Sequence, residues 1–364
     1  MENLFDKTEL NGLELKNRFI RSSLWMKMAN EKGYPTKEVY KTYKELAQGG
    51  VGMIFTGYAF VMKEGKANPG MLGIYDDSFI PEYQKLTDIV HENGSKIALQ
   101  IAYGGSQSYD EKATEREIWG PSAVENRVTG ITPKKMTKED IKTLVSSFGD
   151  AAVRAKEADF DAVQIHGAHG YLLSQFLTPY YNRREDEYGG SIENRARILC
   201  EVYNEVRDRV GEEYPILIKL NFDDFMDGGE GLTFAEAKTV FKRLDQLGVD
   251  AFEVSAVNES SGKGIAPART KLNSKDKESY FKEPTAEIAK EVEAPLILMG
   301  GNRTPKIMED ILNNTEIKYF SLARPLLAEP DLINQWADNL EFEPKCVNCN
   351  QCPSGEVVSC ILNK

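Results

Sequence analysis

The chain has 364 residues, 41% of them apolar and 28% charged, with a formal net charge of -12. Those proportions fit a folded protein with a sizeable core and exclude a disordered or fibrous one. The acidic balance disfavours nucleic acid and anionic membranes as partners, and any anionic cofactor would need a local basic site.

The N-terminal Met1-Glu2-Asn3-Leu4-Phe5-Asp6 has no basic stretch followed by an apolar run, and no run of ~18 apolar residues occurs. A cytoplasmic location is therefore expected. Short apolar runs suited to buried parallel strands follow at 19–24, 52–56, 96–101, 161–166, 216–220, 251–255, 296–299 and 319–322. Helical periodicity lies between them at 79–93, 137–158, 192–210, 233–247 and 304–312. Thr137 before Asp140, Ser191 before Glu193, and Thr304-Pro305 supply helix start signals. Eight such units predict an α/β fold, a (β/α)8 TIM barrel spanning 1–340, followed by a Cys-rich tail over 341–364. Segments 106–135 and 172–191, after strands three and four, are too long for plain connections. Barrels build their sites from such loops.

Unusual polar residues gather where those strands end. Gln100 lies in an apolar run, His166 closes strand four, Lys219 stands between Ile218 and Leu220, and Arg324 follows strand eight. Gln100 alone reads equally well as a satisfied polar residue in a barrel layer. A strand lysine needs an anion, either a ligand or a carboxylate. Gly300-Gly301 after strand seven and Ala323-Arg324 after strand eight occupy the usual phosphate-binding position of barrels. The segment His166-Gly167-Ala168-His169-Gly170-Tyr171 holds two of the three histidines. No third ligand nearby completes a metal site, whereas two imidazoles and a phenol can bind a carbonyl oxygen and supply a proton. His91 reads as an ordinary residue near a helix end.

Several motifs in order resemble the Old Yellow Enzyme family of NADH:flavin oxidoreductases. They are Lys16-Asn17-Arg18-Phe19-Ile20-Arg21-Ser22, Gly52-Met53-Ile54-Phe55-Thr56-Gly57, Gln100, and the block from His166 through Leu173-Ser174-Gln175-Phe176-Leu177-Thr178-Pro179 to Asn182-Arg183-Arg184 and Gly189-Gly190-Ser191-Ile192-Glu193-Asn194-Arg195. The resemblance implies bound FMN, with Ser22, Ser23 and Leu24 along one flavin face, Tyr58 near the reactive edge and Gln100 at the pyrimidine side. It places Lys219 as the cation near flavin N1 and O2, counts His166 among the flavin contacts, and gives the phosphate to Gly300, Gly301, Ala323 and Arg324. NADH or NADPH would reduce the flavin. An activated alkene would then accept hydride, with His166 and His169 on its carbonyl oxygen and Tyr171 as proton donor. Members often form dimers or larger assemblies, so a homo-oligomer is also implied. Trp25 and Tyr103-Gly104-Gly105 depart from the family pattern, so substrate range does not carry over.

Cys346, Cys349, Cys352 and Cys360 in the tail resemble the iron-sulfur segment of the dienoyl-CoA reductase branch, with shorter spacing. Four thiolates can hold a [4Fe–4S] cluster or zinc; a reduced, metal-free tail is the other reading. A cluster would make the chain a dienoyl or enoate reductase fed by an external electron donor. A barrel binding a phosphorylated ligand without redox chemistry is the remaining alternative.

Overall fold

A computed structural model of the chain describes residues 1–110, 112–262, 266–270, 272 and 274–363. Eight parallel strands form its centre: β1 (Phe19–Arg21), β2 (Met53–Phe55), β3 (Lys96–Ala102), β4 (Ala162–Gly167), β5 (Ile216–Asn221), β6 (Ala251–Ser255), β7 (Leu296–Leu298) and β8 (Ile317–Leu322). Each pairs with the next, and β8 closes the ring by pairing Phe320, Ser321 and Leu322 with Phe19, Ile20 and Arg21. The fold is the expected (β/α)8 barrel.

Helices α1 (Lys37–Gln48), α2 (Ile80–Glu92), α3 (Lys138–Glu157), α4 (Arg197–Val210), α5 (Phe234–Gln246), α6 (Lys282–Ala289), α7 (Pro305–Asn314) and α8 (Leu332–Asp338) follow the strands in turn. The expected start at Thr137 is a full capping box with Asp140, worth about 1 kcal/mol. The expected helix 192–210 is two pieces, Ile192–Arg195 and α4, meeting at Ala196. Helices α1, α6 and α8 lie outside the expected helical segments. The first is strongly charged but buries Val39, Tyr43, Leu46 and Ala47 on one side. The second carries Pro284 in its first turn, where an absent N–H leaves no intrahelical bond unmade.

Strand alternation divides the barrel interior into two levels. Ile20, Met53, Phe55, Ala98, Ala162, Leu217, Ala251, Ile297 and Tyr319 form one buried apolar cluster. Leu10 and Leu15, from the antiparallel strands Thr8–Leu10 and Leu13–Leu15, join that cluster. Each large apolar side chain contributes about 1.5–3 kcal/mol on burial. Two residues further along their strands come Ser22, Gln100, Gln164, Lys219, Glu253 and Ser321, all buried and all polar. The expected strand 19–24 ends at Arg21, and Ser22 and Leu24 beyond it line a cavity at the mouth.

The tail lies against the barrel. Val358 N donates to Met26 O at 3.0 Å, and Asn350 Nδ2 donates to Ala268 O at 2.6 Å. No helix among the described residues is long and apolar enough to cross a membrane.

Candidate active site

The polar level is one connected network. Gln100 Nε2 donates to Gln164 Oε1 at 2.6 Å, and Gln164 Nε2 donates to Glu253 Oε2 at 3.0 Å. Glu253 Oε1 accepts from Ser22 Oγ at 2.6 Å and from Ser321 Oγ at 2.7 Å. Lys219 Nζ lies 3.1 Å from Glu253 Oε2 and donates to Ser22 Oγ at 3.1 Å. The structure thus joins Gln100 to Lys219 and supplies the lysine with a carboxylate that the sequence reading overlooked. Burial pulls the Glu253 pKa upward, but Lys219, Ser22, Ser321 and Gln164 outweigh it and hold the carboxyl below its ordinary range.

Beside this network is a cavity of about 340 Å³, within the range of small-ligand sites. Ser22, Leu24, Gly300, Gly301, Ala323 and Arg324, all singled out from sequence, line it together with Trp25, Ser321, Asn348 and Cys352. Gly300 and Gly301 have φ of +106° and +80°, and a Cβ at Gly301 would come within 2.8 Å of Leu272 and Tyr280 side-chain atoms. Arg324 Nη1 donates to Arg269 O at 2.9 Å and also bonds Asn350 Oδ1, which fixes the guanidinium at the wall. Ser23 Oγ and Asn348 Nδ2 are buried without a hydrogen-bond partner.

The two expected histidines and the tyrosine form a second group at the ends of β4 to β6. The His166 ring centroid is 5.2 Å from that of His169 and 5.0 Å from that of Tyr171. His169 adopts φ +62°, a left-handed conformation that costs a non-glycine residue energy and accumulates at functional sites. Burial, then the Lys219 charge, pushes the His166 pKa down to about 3. Burial, His166 and Lys219 likewise hold His169 well below its ordinary value. Both imidazoles are therefore neutral near pH 7. Ala168 N donates to His166 Nδ1 at 3.3 Å, which leaves the ring proton on Nε2. His169 Nε2 is 2.6 Å from Ser255 Oγ, and with the serine donating, its proton stays on Nδ1.

Tyr171 donates to Tyr58 Oη at 3.0 Å, while Asn68 Nδ2 reaches Tyr58 Oη at 2.9 Å and Tyr171 Oη at 3.3 Å. Tyr58 thus brings its phenol to this group. Asn68 comes from a loop with no strand or helix signal, and the sequence reading missed it.

A family model described as NADH:flavin oxidoreductase / NADH oxidase matches residues 3–343. The chain belongs to that family. An NADH oxidase from Thermoanaerobacter brockii is 34% identical over 98% of this chain and 54% of its own length. An NADPH dehydrogenase from Geobacillus sp. is 35% identical over 90% of this chain and 91% of its own. The solved 2-naphthoyl-CoA reductase complex superposes with a TM-score of 0.88 at 25% identity, over 96% of this chain and 54% of that one. The chain thus spans about half the length of the first and third of these relatives.

The residues present fit the family's FMN. Two glycines leave room for close backbone approach, Arg324 supplies the cation that the overall acidity requires, and Ser23 and Asn348 offer unpaired polar atoms. Gly301→Ala should force Tyr280 or Leu272 aside, at a cost of about 1–3 kcal/mol, and weaken FMN retention about tenfold or more. Fluorescence titration of the apoprotein with FMN measures this; an unchanged affinity would show that the cradle is not the contact.

The family's most distinctive sequence block does structural work beside the site. Asn182 Nδ2 donates to Phe176 O and Tyr188 O at 2.7 Å each, and Arg184 Nη1 donates to Pro121 O at 3.0 Å and Met136 O at 2.7 Å. The Asn182 bonds brace the second long loop internally, and the Arg184 bonds tie it to the first.

In the tail, Cys346 and Cys360 are buried together against Ala328, while Cys349 and Cys352 are partly exposed. Burial raises the thiol pKa values of Cys346 and Cys352. Among the described residues, no three His, Cys, Asp or Glu side chains are grouped so as to hold a metal ion.

Proposed function

We propose that the chain is an FMN-dependent NAD(P)H oxidoreductase that reduces C=C bonds conjugated to a carbonyl group. The observation that carries this reading is the pair of neutral imidazoles set beside a buried phenol at one barrel mouth. FMN, when bound, would supply the redox chemistry, passing hydride from NADH or NADPH to the β-carbon. His166 Nε2–H and His169 Nδ1–H hydrogen-bond the carbonyl oxygen as it gains negative charge, and Tyr171 gives a proton to the α-carbon. Lys219 would favour negative charge on the reduced cofactor, and Gln100 would bind its pyrimidine side. The likeness to 2-naphthoyl-CoA reductase supports a conjugated acyl group as one acceptor class. Purified protein should show flavin bands that bleach with NADH or NADPH and return with cyclohexenone. Bands that bleach but do not return would sink the alkene as acceptor.

The neutral imidazoles also set a pH dependence. With folded pKa values near 3 for His166 and well below 6.5 for His169, affinity for a phenolic ligand should be flat between about pH 5 and 8. Unfolded imidazoles take up protons below about 6.5 while the folded ones do not, so stability is lost as pH falls through that value. A spectral titration with phenol at several pH values checks the first statement; an affinity that rises as pH falls would mean that charged imidazolium does the binding.

A further inference from the structure

Glu253 is 0% exposed, yet the barrel level below it is filled with apolar side chains such as Ile297 and Leu217. A buried carboxylate is costly unless every lone pair is met. Here all four sites are taken: Ser22 and Ser321 on Oε1, Gln164 and Lys219 on Oε2. Two of the donors, Ser22 and Ser321, line the cofactor cavity, and Lys219 connects to it through Ser22. Gln164 turns its amide so that its oxygen receives Gln100, which fixes which end of the Gln100 amide remains free. Lys219 spends two of its three N–H donors on Ser22 and Glu253, leaving one.

We propose that Glu253 is a positioning residue for the redox chemistry: it orients Lys219 and the Gln164–Gln100 chain, and by offsetting the lysine's charge it sets the midpoint potential of the bound flavin. The inference rests on the reading of Lys219 as the cation facing the flavin. In that arrangement the Lys219–Glu253 pair presents almost no net charge to the cavity. A further buried cation close by is Arg21, whose Nη1 donates to Ser22 O at 2.7 Å and which feels the Glu253 charge. Neutralising Glu253 leaves the ammonium uncompensated and favours the reduced, anionic cofactor. Neutralising Lys219 leaves the carboxylate uncompensated and does the opposite.

The test is the flavin midpoint potential of FMN-loaded protein, measured by equilibration with a reference dye. Glu253→Gln should shift it positive, Lys219→Met should shift it negative, and the double variant should return near the starting value. Glu253→Asp, which keeps the charge, should shift it less than Glu253→Gln. If Glu253→Gln does not accumulate folded, Lys219→Met compared with the double variant still decides, because removing the carboxylate must raise the potential. A potential that moves with Lys219→Met but not on removal of the Glu253 charge overturns the proposal, whatever happens to FMN affinity. A potential unmoved by Lys219→Met overturns instead the reading of Lys219 on which it rests.

Discussion

Replacing His166 and His169 together with alanine is expected to weaken phenol binding and slow flavin reoxidation by cyclohexenone at least about 100-fold, with FMN still bound. A single preorganised donor aimed at a developing oxyanion is worth about 10²–10³ in rate, and this variant removes two. The rings are preorganised by inward bonds: Ala168 N donates to His166 Nδ1, and His169 Nε2 pairs with Ser255 Oγ. Neutral imidazoles suit the task, since they hold the substrate oxygen without protonating it in the ground state. FMN should remain because Gly300, Gly301 and Arg324 come from the ends of β7 and β8, away from β4. Phenol difference spectra and rapid mixing of reduced enzyme with enone measure the two effects. Intact reoxidation would remove the oxyanion role from both residues.

The positions legible in sequence share a physical feature. Gln100, His166 and Lys219 were visible because each interrupts an apolar strand run, and a barrel interior tolerates such residues only with partners. Gly300, Gly301 and Arg324 were visible from their place after the last two strands. Glu253 carries the same signal, a charge between Phe252 and Val254, with the inward parity of Lys219 on the next strand. Comparing parity between strands would have paired them before any coordinates. Asn68 has no such mark, because a loop residue's contacts are set by how its loop folds back over the barrel. Asn348 is similar: its burial follows from the docking of the tail, and nothing in the Cys-rich spacing announces it. The Asn182-Arg183-Arg184 block carries much of the family resemblance, yet Asn182 and Arg184 donate to backbone carbonyls, and Arg184 also pairs with Asp186, so the block pins loops. Strong recurrence in a motif can mark a scaffold as readily as a reacting group.

Tyr171→Phe should slow reoxidation by enone about 10²–10⁴-fold, the usual worth of a positioned general acid, and leave flavin reduction by nicotinamide unchanged. Tyr58 is the rival donor, since the two phenols are 3.0 Å apart and Asn68 reaches both. Position separates the roles: the Tyr171 ring centroid is 5.0 Å from that of His166, against 6.0 Å for Tyr58. Burial raises the pKa of both phenols, so both stay protonated near neutral pH. Proton loss from Tyr171 would leave a phenolate beside the Asn68 amide and the Tyr58 hydroxyl. Tyr58→Phe removes one of those supports and not the proton source, so its effect should be smaller, about tenfold, the worth of one hydrogen bond to a charged group. Because Tyr171 stays protonated until the pH approaches 12, the wild-type rate should not fall through loss of this acid below about pH 9. Rapid-mixing measurements on the two variants discriminate directly: a larger loss in Tyr58→Phe than in Tyr171→Phe would make Tyr58 the acid and Tyr171 its support.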